Sequence, residues 1–328
     1  MRMQALCPRR AVLEAKWYPS NPAKEHSLIW ATIVMTVAIA CSASAQELEP
    51  RAYSPSPVGT GFLVFGFARS SGGVTLDPTI PVTDVKATFN TPVVGLGQTF
   101  GLFGRQSLIT AALPYAWGRI SGQVGEQQGS ITRSGLANTK LRLSVNLHGV
   151  PAMNPRQFAA TPHRNIIVAV SLTVDAPSGQ YDKTKLINLG TNRWAFKPEL
   201  GFSYPFRKFY FDLYAGASLF TENANFYPGA STRTQETLSA IQAHVSYAIR
   251  PRLWAAFDAT WYGGGAVRLN DGPPSERQSN TRLGATVSLP LAKQQSLKVS
   301  YSSGVSARVG SNFRTLSVSW QYVWFEKH

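Results

Sequence analysis

Cysteine is scarce in this chain of 328 residues, and its two cysteines, Cys7 and Cys41, both precede residue 46. Without residues 1–45 the chain has no thiol, which excludes disulfides, thiolate metal sites and a cysteine nucleophile. Long hydrophobic runs are also missing. No stretch after Gln46 approaches the roughly 18 apolar residues of a membrane-spanning helix.

The first 45 residues have the features of a signal peptide. Basic residues precede an apolar run of 13 residues at 28–40, and Ala43-Ser44-Ala45 forms a small-x-small site before Gln46. Cys41 leaves a lipoprotein signal open, although Ala38 stands where such signals usually have Leu. The long upstream region also leaves open a later translation start. We expect export and cleavage near Ala45/Gln46.

Period-two hydrophobicity dominates the rest of the chain. Residues 193–220 show it most clearly, because apolar and polar side chains alternate on both sides of Pro205-Phe206-Arg207-Lys208. Each half is predicted to be an amphipathic strand of membrane-crossing length, with Tyr204 opposite Phe209 across the turn. The second strand changes its apolar parity near Thr91-Pro92, which suggests a bulge or a wrong boundary. Twelve strands are predicted in all, at 59–70, 85–100, 105–118, 136–148, 165–175, 193–205, 208–220, 236–249, 252–262, 281–289, 296–308 and 312–325.

Short and long connections alternate between these strands. The short ones are at 101–104, 205–208, 250–252 and 290–295, and the long polar ones at 71–84, 119–135, 176–192, 221–235, 263–280 and around 309–311. Outer-membrane barrels have this arrangement, with the short turns on the periplasmic side. The exception is 148–164, a long connection where a short turn belongs. It is either a periplasmic plug or lid, or simply a long turn.

Aromatic residues mark both predicted membrane interfaces. Trp117, Trp194 and Trp261 adjoin long loops, whereas Tyr204, Phe209, Tyr247 and Trp324 adjoin short turns or the C-terminus. We therefore predict an all-β fold, an antiparallel up-and-down barrel of about 12 strands in the outer membrane of a Gram-negative bacterium. Residues 46–328 form its single domain, and 46–57 a periplasmic N-terminal linker.

Acidic residues are few: 17 Asp and Glu stand against 32 Lys and Arg, a net charge of +15. Removing residues 1–45 takes away five basic and two acidic residues and leaves +12. The basic residues are spread over predicted turns, loops and lumen, so they do not indicate a nucleic-acid partner. They favour contact with lipopolysaccharide phosphates and an anion bias in the lumen, beside the outer-membrane lipids that surround any such barrel.

Charged residues within strands are predicted to face the lumen, because a charge on the lipid face near mid-bilayer costs about 2–4 kcal/mol. They either form a structural network that fills the barrel or line a narrow passage. Four cations against three anions predict a weak anion preference. A three-residue turn at 250–252 would also place His244 opposite Asp258. The candidate lumen residues are Arg142, Lys197, Glu199, Asp212, His244, Asp258, Arg282 and Lys298.

Catalytic and cofactor motifs are missing from the sequence. It has no GxSxG, no metal-type His/Glu cluster and no phosphate-binding glycine loop, and Gly263-Gly264-Gly265 is interpreted as a loop start. Of the histidines after residue 46 (His148, His163, His244 and His328), none is placed for the outward-facing Ser–His pair of lipid-cleaving barrels. We expect no catalytic residue, cofactor or metal.

Several spaced motifs resemble a known family. They are YSPSPVG (53–59), LFGR (102–105), LPYAWG (113–118), the run at 134–152, PSGQYD (177–182) and NLGTNRWAFKPELG (188–201). They are similar to the putative MetA-pathway of phenol degradation proteins. The resemblance implies an outer-membrane β-barrel transporter associated with the breakdown of aromatic compounds. The C-terminus departs from the usual signal for the barrel assembly machinery, because Glu326-Lys327-His328 follow Phe325.

Together these features predict a channel for passive or facilitated passage of small solutes, including aromatic, phenol-type compounds. The alternative is a plugged structural or surface-binding barrel whose long loops, 221–235 and 263–280, engage partners. A barrel of about eight strands can be filled by side chains, whereas about 16 strands leave an aqueous channel. A barrel of twelve strands lies between these sizes, so the strand number favours neither a filled lumen nor an open channel.

Overall fold

The computed structural model describes residues 49–75, 83–124, 127–185, 187–226 and 231–326. The predicted signal peptide lies outside these ranges. The described part contains one short helix, α1 (Pro155–Ala160), and sixteen strands. The strands are β1 (Thr60–Thr75), β2 (Thr83–Leu102), β3 (Arg105–Val124), β4 (Gln127–Leu136), β5 (Thr139–His148), β6 (Ile167–Ala176), β7 (Ala195–Phe206), β8 (Phe209–Phe220), β9 (Asn223–Phe226), β10 (Ser231–Gln235), β11 (Leu238–Arg250), β12 (Leu253–Gly264), β13 (Val267–Leu269), β14 (Gln278–Ala292), β15 (Gln295–Ala307) and β16 (Gly310–Phe325).

Twelve of the strands form a closed antiparallel barrel, as the sequence predicts. Closure occurs where β1 pairs with β16 on one side and with β2 on the other. A closed barrel leaves no strand edge unpaired, which a lipid environment requires. The other four strands lie outside the wall. β4 pairs with the extracellular half of β3, beyond the residues of β3 that pair with β5. β9, β10 and β13 form a small separate sheet within the long extracellular loops.

The two faces of the wall have opposite polarity. Side chains that point outward are apolar and exposed, such as Leu200 at 63% and Phe257 at 57%, whereas inward-facing Ser246 and Asp258 are fully buried. Six of the seven aromatic residues predicted for the interfaces, Trp194 and Tyr247 among them, are also exposed, and Trp324 is partly buried. An apolar outer band bordered by aromatics identifies the surface that lipid covers.

The hairpin of β7 and β8 has a tighter turn than the sequence suggests. The predicted pairing of Tyr204 with Phe209 is wrong, because Tyr204 pairs with Phe211 and Phe206 pairs with Phe209. Arg207, with φ of 55°, and Lys208 make a two-residue turn. The register moves by two residues, so every side chain keeps its predicted face.

The parity change in β2 has a different cause from the expected bulge. Its pairing with β3 keeps one register on both sides of Thr91-Pro92. Val85 and Phe89 point inward instead, and the Phe89 ring lies 6.5 Å from the ring of Phe313 on β16. An apolar cluster therefore fills one side of the barrel near its extracellular end.

The long connection at 148–164 folds across the periplasmic end. Its helix α1 begins with a capping box formed by Asn154 and Gln157. The Ala152 N–H donates to the Gly104 carbonyl at 3.0 Å, and Val150 is only 1% exposed. These contacts favour a lid over a loose turn. No helix in the described ranges is long and apolar enough to cross a bilayer.

Candidate functional site in the barrel lumen

A cavity of about 180 Å³ occupies the extracellular half of the lumen. Its lining comes from the inward faces of strands on both sides of the barrel. The charged residues of this lining are Glu49, Lys140, Arg142, Asp175, Arg193, Lys197 and Glu199.

Glu199 on β7 is the centre of the charge network at the bottom of the cavity. Its Oε1 accepts from Arg142 Nη2 at 3.2 Å, and its Oε2 pairs with Lys197 Nζ at 2.8 Å. Arg142 also pairs with Glu49, and Gln242 Nε2 donates to Glu199 Oε2 at 3.4 Å. Glu199 is only 7% exposed, and burying an unpaired carboxylate is energetically costly. The two cations offset that cost by pairing with it.

Of the linker predicted at 46–57, the described residues from 49 onward contact the lumen wall. We call residues 49–58, which precede β1, the N-terminal latch. The Arg51 N–H donates to Asp212 Oδ2 at 3.2 Å, and the Ala52 N–H donates to the Tyr214 hydroxyl at 3.1 Å. Farther along, the Val58 N–H donates to the Met153 carbonyl at 2.8 Å. The latch thus joins the lumen wall to the periplasmic lid.

Tyr53 is a buried side chain of the latch, at 2% exposure. Its hydroxyl donates to Glu199 Oε1 at 3.0 Å, and its ring meets the Tyr214 ring edge to face at 5.1 Å. Gly201 on β7 makes room for it, because a Cβ there would come within 2.2 Å of the Tyr53 ring. The aromatic ring of Tyr53 thus packs directly beneath the charge network.

His244 and Asp258 face each other as predicted, with Nδ1 and Oδ1 separated by 2.7 Å. The turn reaches this register in an unexpected way, because Arg250 pairs with Leu253 and Ile249 is bulged out. The bulge adds one residue to β11 and the turn is one residue shorter than predicted, so His244 still pairs with Asp258. Both side chains are buried below the cavity, where the Thr286 hydroxyl also donates to Asp258 at 2.8 Å.

The other predicted lumen residues, Asp212, Arg282 and Lys298, form no ion pair with Glu199. Asp212 is 5% exposed beneath Tyr214 and holds the latch. Arg282 is 3% exposed on β14, and its Nη1 donates to the Ser302 hydroxyl at 2.7 Å. Lys298 lies on β15 in register with Ser288 and Ser319. A pore-lining role for these residues stays a prediction.

Sequence reasoning missed four charged residues of the cavity. Lys140 and Asp175 are paired across β5 and β6 near the strand ends, where strand parity would have placed both inside. Arg193 precedes β7 on the same parity as Lys197. No sequence signal indicates Glu49, because the latch has no periodicity. Among the described residues, no group of three or more His, Cys, Asp or Glu could hold a metal ion.

A closed barrel of twelve antiparallel strands, apolar outside and polar inside, defines a transmembrane protein of the outer-membrane type. Two solved structures are similar to it. The COG4313 outer membrane channel from Pseudomonas putida F1 has a TM-score of 0.70 at 20% identity, over 85% of this chain and 100% of that chain. The transport unit of the autotransporter AIDA-I from Escherichia coli has a TM-score of 0.50 at 10% identity, over 90% and 97%. At these identities the likeness shows the fold.

The family is established by the sequence itself. A family model described as "Putative MetA-pathway of phenol degradation" matches residues 66–322, and the chain belongs to this family. The resemblance in the spaced motifs is thereby confirmed. No curated protein matches the chain.

Proposed function

We propose that this protein is an outer-membrane channel for small solutes, aromatic compounds among them, and that the N-terminal latch controls passage through it. The observation that carries the proposal is the charged cavity in the upper lumen, which ends on the latch. A barrel filled for stability alone would need no such cavity. The closure would then be the latch, a separate segment of the chain, and not the barrel wall.

The contacts of the latch are suited to a movable closure. Most are single hydrogen bonds, such as those of Arg51 with Asp212 and of Tyr53 with Glu199. Each contributes about 0.5–1.5 kcal/mol net, or about 1.5–3 kcal/mol where a charged group takes part. Water can replace these bonds one at a time.

The similar structure from Pseudomonas putida F1 is titled a channel, which supports a conduit. The family description refers to phenol degradation, which supports aromatic solutes. The rival function is a plugged barrel that binds partners at its surface. The burial of Tyr53 at 2% exposure and of Val150 at 1% favours it, because both close the periplasmic end.

The proposed location is the outer membrane, after export and cleavage near Ala45/Gln46. The barrel assembly machinery would then meet a last strand that continues past Phe325. There the Glu326 N–H donates to the Gly59 carbonyl at 2.9 Å and extends the closing pair of strands. Exposed loop arginines such as Arg268 and Arg277 are available to lipopolysaccharide phosphates.

Liposome swelling with the purified protein tests the proposal. Small phenols, benzoates and size-matched sugars are compared with protein-free liposomes of the same lipid. A channel predicts entry above the protein-free rate, with aromatic solutes ahead of sugars. If no solute enters faster than in protein-free liposomes, the plugged barrel replaces the channel. Equal entry of all solutes would keep the channel and remove the aromatic preference.

A further inference from the structure

Two buried arginines interact at the extracellular side of the barrel, and one of them, Arg193, lines the cavity. Arg193 precedes β7 and is 3% exposed, and Arg233 lies in β10 and is 4% exposed. The Arg193 guanidinium packs 4.3 Å from the Phe220 ring and donates through Nη2 to Gln235 Oε1. Arg233 and Gln235 are two residues apart, so their side chains share one face of β10. Arg193, Phe220 and Gln235 all line the cavity.

Neither arginine has a carboxylate partner among the residues that the structure describes. Three of their donor atoms are buried without a hydrogen-bond partner: Arg193 Nη1, Arg233 Nε and Arg233 Nη2. Partly buried Arg142, which also lines the cavity, has two glutamates. The upper pair therefore differs from the structural charges below it.

Burying an unpaired guanidinium is unfavourable, and a second positive charge beside it adds repulsion. Burial lowers the pKa of both arginines, and the charge of Arg233 lowers that of Arg193 further. Both effects would be relieved by an anion placed between the two side chains. These three donors are therefore available to an anion.

The free donors specify the kind of anion. Nε and Nη2 lie on one edge of a guanidinium and point in parallel, which matches two oxygens of a carboxylate or of a phosphate. Arg193 Nη1 supplies a third donor, and the Phe220 ring gives the cavity an apolar surface next to it. We propose that Arg193 and Arg233 form a binding site for a small organic carboxylate with an apolar or aromatic body.

This site adds a ligand class to the proposed function. It rests on that function only for the passage of the bound ligand through the barrel. Binding can be measured in detergent whether or not a solute crosses the barrel. Failure of swelling with intact binding would remove the channel and keep the site. Swelling without benzoate binding would keep the channel and remove the site.

Calorimetric titration of the full-length protein in detergent provides the test. Sodium benzoate is compared with benzyl alcohol, which has the ring without the charge, and with sodium phosphate. We expect benzoate to bind more tightly than either. Arg233→Gln and Arg193→Gln should each weaken benzoate binding by at least about tenfold, because each removes hydrogen bonds to a charged group. Arg268→Gln is the matched control, since Arg268 is exposed on β13, the strand paired with β10.

The thermal midpoint separates a ligand site from a structural role. Benzoate should raise it in the wild type and not in Arg233→Gln, whereas the unliganded variant should be at least as stable as the wild type. Arg233→Lys keeps the charge without the forked donors, and it should also bind benzoate more weakly. Four results would overturn the proposal: equal binding of benzoate and benzyl alcohol, tighter binding of phosphate, unchanged binding in both Arg233 variants, or an equal loss in Arg268→Gln.

Discussion

The two ends of the lumen are built differently. At the periplasmic end the chain closes its own barrel, with Tyr53 packed against Tyr214 and the latch bonded to the lid. At the extracellular end a cavity remains, lined by four cationic and three acidic side chains. One side of that end is nevertheless filled by an apolar cluster around Phe89 and Phe313.

In the proposed channel, the different construction of the two ends assigns the rate of passage to one end and the choice of solute to the other. The lower half would limit passage, because the latch lies there. The upper half would select among solutes, because its charges act on a solute that enters. A variant of the latch should therefore change how much passes, whereas a variant of the cavity should change what passes.

The largest effect is expected from Gly201→Ala. The added methyl would come within 2.2 Å of the Tyr53 ring, so the ring must leave its place. Single-channel conductance in planar bilayers should rise severalfold. Gly66→Ala is the control, because a Cβ there meets only ordinary contacts at 3.8 Å or more. Unchanged conductance in Gly201→Ala would show that the latch does not limit passage.

Phe313→Ala should change stability and leave conductance alone. Phe313 is 2% exposed in the apolar cluster, and removing a buried Phe side chain costs about 3–5 kcal/mol. Urea unfolding in lipid vesicles measures the loss, with lipid-facing Phe65→Ala as the control at 49% exposure. A large conductance change would mean that this cluster belongs to the passage.

Leu200→Arg tests which face meets lipid. Leu200 lies in the middle of β7, next to inward-facing Glu199, and is 63% exposed. A charge on the lipid face near mid-bilayer costs about 2–4 kcal/mol of folding free energy. The same urea titration should detect that loss, while Leu200→Met should be nearly neutral. If Arg is tolerated as well as Met, the assignment of faces in β7 is wrong.

The smallest effect concerns ion selectivity. The cavity has one more cation than acid, so a weak anion preference is expected from reversal potentials in a salt gradient. Lys197→Gln makes the numbers equal and should bring the reversal potential close to zero. A clear cation preference of the wild type would contradict this picture of the cavity.

The strands of the barrel wall could be predicted closely, because contact with lipid requires apolar residues at every second position. β11 is predicted at 236–249 and observed at Leu238–Arg250, since alternation of faces continues as far as the membrane does. The pairing of His244 with Asp258 followed from the same alternation and a short turn. Exact registers were less certain: the β7–β8 hairpin differs by two residues, which alternation alone cannot detect.

The interior could not be predicted to the same degree. Residues 49–58 contain three prolines and no period, so their position depends on contacts with Gly201, Tyr214 and Asp212, which are distant in sequence. The meeting of Arg193 with Arg233 likewise depends on how β10 folds within a long loop. Neither arrangement has a local sequence pattern.

In the proposed channel, a latch held by Tyr53 limits passage through an otherwise conducting barrel. Single-channel conductance of Tyr53→Ala, compared with the wild type in the same bilayers, tests this role of the latch. Tyr301→Ala is the control, because Tyr301 is a lipid-facing tyrosine at 48% exposure. We expect a severalfold higher conductance for Tyr53→Ala and no change for Tyr301→Ala. Equal conductance of Tyr53→Ala and the wild type would contradict it.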